Sequence, residues 1–233
     1  MLHYENNQNK LITRLVLPTR QGGWETIGVR EMKQGTPMEK TPIDPFCPHG
    51  DVDQVACINN WMQFAELADH YIRSGDTLVA AALADHMLLD VHVQPACFLY
   101  RHGLELNLKD LAWKSQYLVT GKKRFAEKNW KELGQHRLID IWDGAKIASK
   151  TVLRADFPLD SSKEKKLRSF LTQIEEHDPD SYSFRYPISK KKGRTHPKLN
   201  NVNLATLKAE VHNAFDQIKG ILDMIDYCLS SER

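Results

Sequence analysis

Behind Asn203, the residues Leu204, Leu207, Val211, Phe215, Ile218, Leu222, Ile225 and Leu229 return every three or four positions over about seven helical turns. That period belongs to an α-helix with one buried stripe, and Asn203 stands at its N-cap position. The same spacing governs the chain from Asp51 onward. Ile58, Trp61, Met62, Ala65, Ala68 and Ile72 predict a first amphipathic helix that closes at Gly75. Residues 77–89 are apolar on nearly every face and predict a second, buried helix. Pro95 is expected to open a third helix reaching about Val119. Leu138, Ile141, Trp142, Ala145, Ala148 and Val152 mark a fourth, and residues 161–176 a fifth. No βαβ alternation or internal repeat interrupts the pattern, so the expected fold class is all-α.

The first 50 residues differ. Residues 11–17 and 24–31 are apolar-rich and flank a polar segment ending in Gly22-Gly23, the pattern of a short hairpin. Pro37, Pro42, Pro45 and Pro48 with two glycines leave no room for a regular element over residues 33–50. The expected organisation is a small N-terminal β-like arm and linker over 1–50 and a helical domain over 51–233.

A chain of 233 residues with 41% hydrophobic content can bury an ordinary core. Its 32 Lys+Arg against 30 Asp+Glu leave a formal charge of +2, so any preference for a charged partner depends on where the charges sit. No apolar run approaches the roughly 18–20 residues that span a bilayer, and the first ten residues are too polar for a signal peptide. The expectation is a cytoplasmic protein with no membrane partner. Cys47, Cys57, Cys97 and Cys228 lie far apart without a C-x-x-C pair, which argues against a zinc knuckle and a disulfide scaffold.

Charge is segregated in one place. Residues 181–209 carry seven Lys/Arg and no acid: Arg185, Lys190, Lys191, Lys192, Arg194, Lys198 and Lys208. This segment is either a solvated loop or a contact for a phosphate backbone, because each cation that neutralises a phosphate releases a condensed counterion. Lys190, Lys191, Lys192, Arg194, His196 and Lys198 are therefore the candidate nucleic-acid contacts. Arg185 sits among Tyr182, Phe184 and Tyr186, which either anchor the loop or stack on a base.

The third helix aims charge at the core. At about 100° per residue, Arg101 and Glu105 fall within the stripe of Cys97, Leu104, Leu108 and Ala112. Their i, i+4 spacing predicts an internal ion pair; the alternative is that Arg101 also faces a cleft and meets a phosphate. His102 lies at the edge of that stripe, and His136 precedes the fourth helix, where the helix dipole favours a neutral imidazole able to act as a base. Two arrangements resemble metal sites. Asp85, His86, Asp90 and His92 lack the repeated Glu-x-x-His of di-iron bundles. His177-Asp178 is followed at once by Pro179, which places it at a helix end. No metal or cofactor is expected, and no phosphate-binding Gly loop or Gly-x-Ser-x-Gly elbow is present.

Three blocks then stand in order: Phe98-Leu99-Tyr100-Arg101-His102-Gly103-Leu104-Glu105-Leu106-Asn107-Leu108-Lys109; Gly134-Gln135-His136-Arg137-Leu138 leading to Ile141-Trp142; and Asp178-Pro179-Asp180-Ser181 leading to Phe184-Arg185-Tyr186-Pro187. Together they resemble a bacterial branch of the HEPN superfamily, over about residues 80 to 229. The resemblance implies a HEPN-like helical bundle, a homodimer, and RNA or nucleotide binding. It also implies a metal-independent ribonuclease of toxin–antitoxin or anti-phage defence, with a partner protein in such a system. The hallmark of the family, an Arg followed after four to six residues by His, is absent: the positions after Arg101 hold Leu106, Asn107 and Leu108. Either the catalytic pair is rebuilt from Arg101 or Arg185 with His102 or His136, or the protein binds without cutting, as an antitoxin-like or scaffold interaction module.

Overall fold

The computed structural model describes residues 2–7, 10–18, 24–33, 63–121, 135–186, 199 and 201–231. The chain divides into two units, Met1–Ile58 and Asn59–Arg233. In the first, β1 (Leu2–Asn7), β2 (Lys10–Pro18) and β3 (Trp24–Lys33) pair antiparallel in the order β1-β2-β3. The two apolar-rich stretches lie in β2 and β3, with Leu11 opposite Met32, Pro18 opposite Trp24 and a bulge at Leu15/Val16. β1, which the sequence reading assigned to no element, pairs with β2 from Leu2 opposite Leu15 to Asn7 opposite Lys10. The proline-rich linker beyond Lys33 lies outside the described residues.

All regular elements described in the second unit are helical: α1 (Phe64–Ala84), a 3-10 turn (His86–Leu88), α2 (Leu89–Thr120), α3 (Leu138–Leu153), a second 3-10 turn (Arg154–Asp156), α4 (Ser161–His177) and α5 (Leu204–Ser231). α2 is the central helix, packed against α1, α3 and α5. It is buried without a break from Gly103 to Leu111, which explains its lack of a single polar face. No helix among the described residues is long and apolar enough to cross a membrane.

The expected break at Gly75 does not occur, because α1 continues through it to Ala84. Gly75 allows a close approach instead: a Cβ there would sit 2.7 Å from Tyr100 Cε1 on α2. Gly103 answers from α2, where a Cβ would lie 2.8 Å from Ile72 Cδ1 and 3.1 Å from the Ala68 carbonyl oxygen. The first two expected helices are thus one, pressed against α2 through two glycines. The Asp85 side chain ends it by accepting from the Met87 amide at 3.0 Å, which starts the 3-10 turn. The expected burial of residues 77–89 is also incomplete, since Leu83 is 45% and Met87 83% exposed. Pro95 does not open α2; it lies inside it, six residues after Leu89, where its fixed φ fits the helix and a single amide donor is lost.

Capping sets the other boundaries. Asn203 Oδ1 accepts from the Thr206 amide at 2.9 Å, as its position predicts. Asp160 Oδ1 accepts from Ser162 and Lys163 at the start of α4. α3 lacks a cap of its own, and Glu175 of α4 supplies one by accepting from the Ile139 amide at 2.8 Å while holding Arg137. Gly121, at φ 64°, closes α2 in the left-handed region open to glycine.

Candidate functional site

Arg101 and Glu105 lie one turn apart on α2, at 0% and 1% exposure, and form the ion pair that their spacing predicts, Nη1 donating to Oε2 at 2.7 Å. The rest of the guanidinium reaches two other segments. Nε donates to the Asp178 carbonyl oxygen at 2.9 Å and lies 3.3 Å from Asp178 Oδ2, and Nη2 donates to the His136 carbonyl oxygen. Arg101 therefore clamps α2 to the entry of α3 and the exit of α4. Each of its three nitrogens has an acceptor within the protein, so this arginine holds the site together.

Glu105 Oε1 accepts from Lys109 Nζ at 2.7 Å and lies 2.9 Å from His136 Nδ1. Burial pushes the Glu105 carboxyl up, yet Lys109, Arg101 and His136 together hold it below its ordinary value. Two cations and two carboxylates are thus buried as a balanced set. Breaking such a buried set by removing one member costs up to about 3–5 kcal/mol, less where the partners left behind keep other contacts.

Asp178 carries the clamp into a turn. Its Oδ1 accepts from the amides of Tyr182 at 2.6 Å and Ser183 at 2.7 Å. Its Oδ2 makes no hydrogen bond among the described residues, because Arg101 Nε points at the Asp178 carbonyl and meets this oxygen only by charge. Buried Ser181 takes φ 54°, a left-handed conformation uncommon for serine, inside the turn that the Asp178 bonds to Tyr182 and Ser183 close. The turn so held presents an exposed Arg185 whose guanidinium lies 5.6 Å from the Phe98 ring and 5.8 Å from the Tyr186 ring. Tyr186 stacks on Tyr182 at 4.3 Å.

The two histidines differ. His136 is half-exposed, and the Glu105 carboxylate at Nδ1 favours the Nδ1–H tautomer and leaves Nε2, turned away from Glu105, as the basic nitrogen. The orienting group is Glu105 rather than the helix dipole invoked from sequence. His102 is wedged edge-on against Tyr71 at 4.5 Å and stacked on Phe98 at 5.7 Å. Burial lowers its imidazole below the ordinary value, with Glu105 opposing and Lys109, Arg101 and Arg185 adding to the shift. His102 is thus a neutral part of the platform beneath Arg185.

Lys190, Lys191, Lys192, Arg194, His196 and Lys198 lie outside the described residues. Among the described residues no three metal-ligating side chains converge; Asp85 caps a turn and Asp178 faces Arg101. Sequence reasoning missed Lys109, though Arg101, Glu105 and Lys109 form a legible i, i+4 ladder. It also missed a second polar group: Asp76 on α1 accepts from Tyr100 at 2.8 Å, lies 2.9 Å from His212 Nε2 and 3.4 Å from Lys208 Nζ. Burial raises the Asp76 carboxyl, and His212, Tyr100 and Lys208 more than reverse that. No spacing signals this group, because it joins three helices.

Comparison with protein-family models, with curated proteins and with solved structures returned no match, so no family is assigned to the chain.

Proposed function

We propose that the second unit is a HEPN-like bundle, preceded by a small β-like arm, that engages RNA or nucleotide phosphates and cleaves RNA without a metal. The observation that carries the reading is the exposed Arg185 guanidinium, seated on Phe98 beside His102 in a turn whose amides Asp178 fixes. A cation held in one place on aromatic rings suits a phosphate next to a stacked base. His136 Nε2 is the base: it takes the 2′-hydroxyl proton, the 2′-oxygen attacks phosphorus, and Arg185 stabilises the charge on the phosphorane. The P–O5′ bond then breaks, the leaving oxygen takes a proton from the imidazolium, and a cyclic phosphate remains. Lys190, Lys191, Lys192, Arg194, His196 and Lys198 would extend the backbone contact. The same reading carries a cytoplasmic homodimer and a partner protein in a defence or toxin–antitoxin system.

A second reading, a non-catalytic interaction module, draws support from Arg101. The arginine on the central helix is fully buried and turned toward protein, as a scaffold residue is. An RNA-cleavage assay in EDTA, run with binding anisotropy, separates the two. In the catalytic reading His136→Ala lowers cleavage by about 100-fold or more while binding persists, and Arg185→Ala removes both. Binding without cleavage selects the second reading. No binding of RNA or nucleotide by the wild-type chain overturns the proposal.

A further inference from the structure

Along one side of the Arg185 turn runs a groove in two chambers, of about 330 and about 180 Å³, between the first half of α2, the C-terminal half of α4, the turn itself and the entry of α5. Cys97, Phe184, Asn201 and Val202 line both chambers. Phe184 and Cys97 are the chain neighbours of Arg185 and of the Phe98 on which Arg185 rests, so the cation stands beside the groove without lining it.

The lining combines apolar faces with carboxamides, and charged or titratable groups border it as well, Asp90 at the larger chamber and Arg101 and His177 at the smaller. Val202 and the Phe184 ring supply apolar surface, and burial pushes the Cys97 thiol up to about 12, leaving it an uncharged wall. Gln94 edges the larger chamber, Gln173 the smaller, and Asn201 both. A carboxamide offers one donor and one acceptor side by side, which matches the edge of a base, and an aromatic wall matches its face. The larger chamber alone reaches the lower end of the volumes, about 300–1,000 Å³, typical of small-molecule sites.

We propose that this groove holds an unstacked nucleobase whose phosphate lies on Arg185. The inference rests on the RNA-or-nucleotide reading and adds to it where the base goes and which side chains meet its edge. A free nucleotide and the end of a single-stranded RNA present the same chemistry, so both are probes.

The test uses the full chain with AMP, base-free ribose 5-phosphate and hexa-adenylate, read by calorimetry and by side-chain amide NMR signals. AMP is expected to bind at least about tenfold more tightly than ribose 5-phosphate, the scale of one stacked base. AMP should shift the Gln173 and Asn201 amide signals, which ribose 5-phosphate should leave in place. Asn201→Trp, at an exposed position before α5, fills the groove and should remove the difference between the two probes while leaving ribose 5-phosphate binding unchanged. Gln94→Trp, exposed on α2, repeats the test from the other wall should the first variant melt early. Arg185→Ala should weaken all probes. Hexa-adenylate binding that Asn201→Trp weakens identifies an RNA end as a source; binding confined to AMP identifies a free nucleotide. Equal affinity for AMP and ribose 5-phosphate, or unchanged AMP binding in both filled variants, overturns the groove. RNA binding that Arg185→Ala still abolishes would then leave the broader reading standing. Failure of every probe and of RNA overturns both.

Discussion

Replacing Arg101 with Met removes the clamp while nearly keeping its volume. Three anchors disappear: the 2.7 Å pair with Glu105, the 2.9 Å bond to the Asp178 carbonyl and the bond to the His136 carbonyl. Neither carboxylate is stripped bare, since Glu105 keeps Lys109 and His136, and Asp178 keeps the Tyr182 and Ser183 amides. The loss should therefore fall at the lower end of the range for a broken buried pair, about 3 kcal/mol. Urea unfolding followed by helical circular dichroism measures it. The deficit depends on pH with a definite sign. Glu105 has a folded pKa below its ordinary value of 4.5, so its contribution is present above that value and is lost as pH falls through the lower, folded one. The gap between wild type and Arg101→Met should thus be full at pH 7 and shrink on acidification below about pH 4.5. Pairing Arg101→Met with Asp178→Asn should cost less than the sum of the two single changes, because they share one contact. Amide exchange at Tyr182 and Ser183 should quicken in Arg101→Met as the turn loosens. A stability loss within about 0.5 kcal/mol, the scatter of surface changes, would refute the clamp.

Gly75→Ala should destabilise by about 1–3 kcal/mol in thermal melting, because its Cβ would meet the buried Tyr100 ring at 2.7 Å. Asp76→Asn should flatten the acid limb of the stability curve: the wild-type carboxyl titrates below its ordinary 3.8, so its contribution is present above that value and lost as pH falls through the folded pKa. An unchanged limb would mean the links to His212, Tyr100 and Lys208 are not maintained in solution. Arg185→Ala should leave stability within about 0.5 kcal/mol of wild type, since the side chain is exposed, while RNA binding is lost. Light scattering at micromolar concentration should give the mass of a dimer, and a monomeric mass counts against the HEPN-like reading.

What the sequence determined by itself is local and periodic. The stripe from Leu204 to Leu229 and the Asn203 cap place α5, because a helix repeats every 3.6 residues whatever surrounds it. The Arg101–Glu105 pair was legible for the same reason, both ends lying one turn apart on one helix. Gly75 misled, because a glycine that ends a helix and one that admits a neighbouring ring look alike until the ring's position is known. The candidate site was decided elsewhere. The bond between His136 and Glu105 spans 31 residues and that between Arg101 and Asp178 spans 77, and no periodic signal reaches so far along a chain. His136 is named by sequence as a base, but packing alone turns its Nδ1 to a buried carboxylate and leaves Nε2 for chemistry. Arg185 is marked as a cation among aromatics, but its seat on Phe98 belongs to a turn that Arg101 and Asp178 hold against α2. Residue type and spacing supply the groups, and burial around the central helix determines which of them meet.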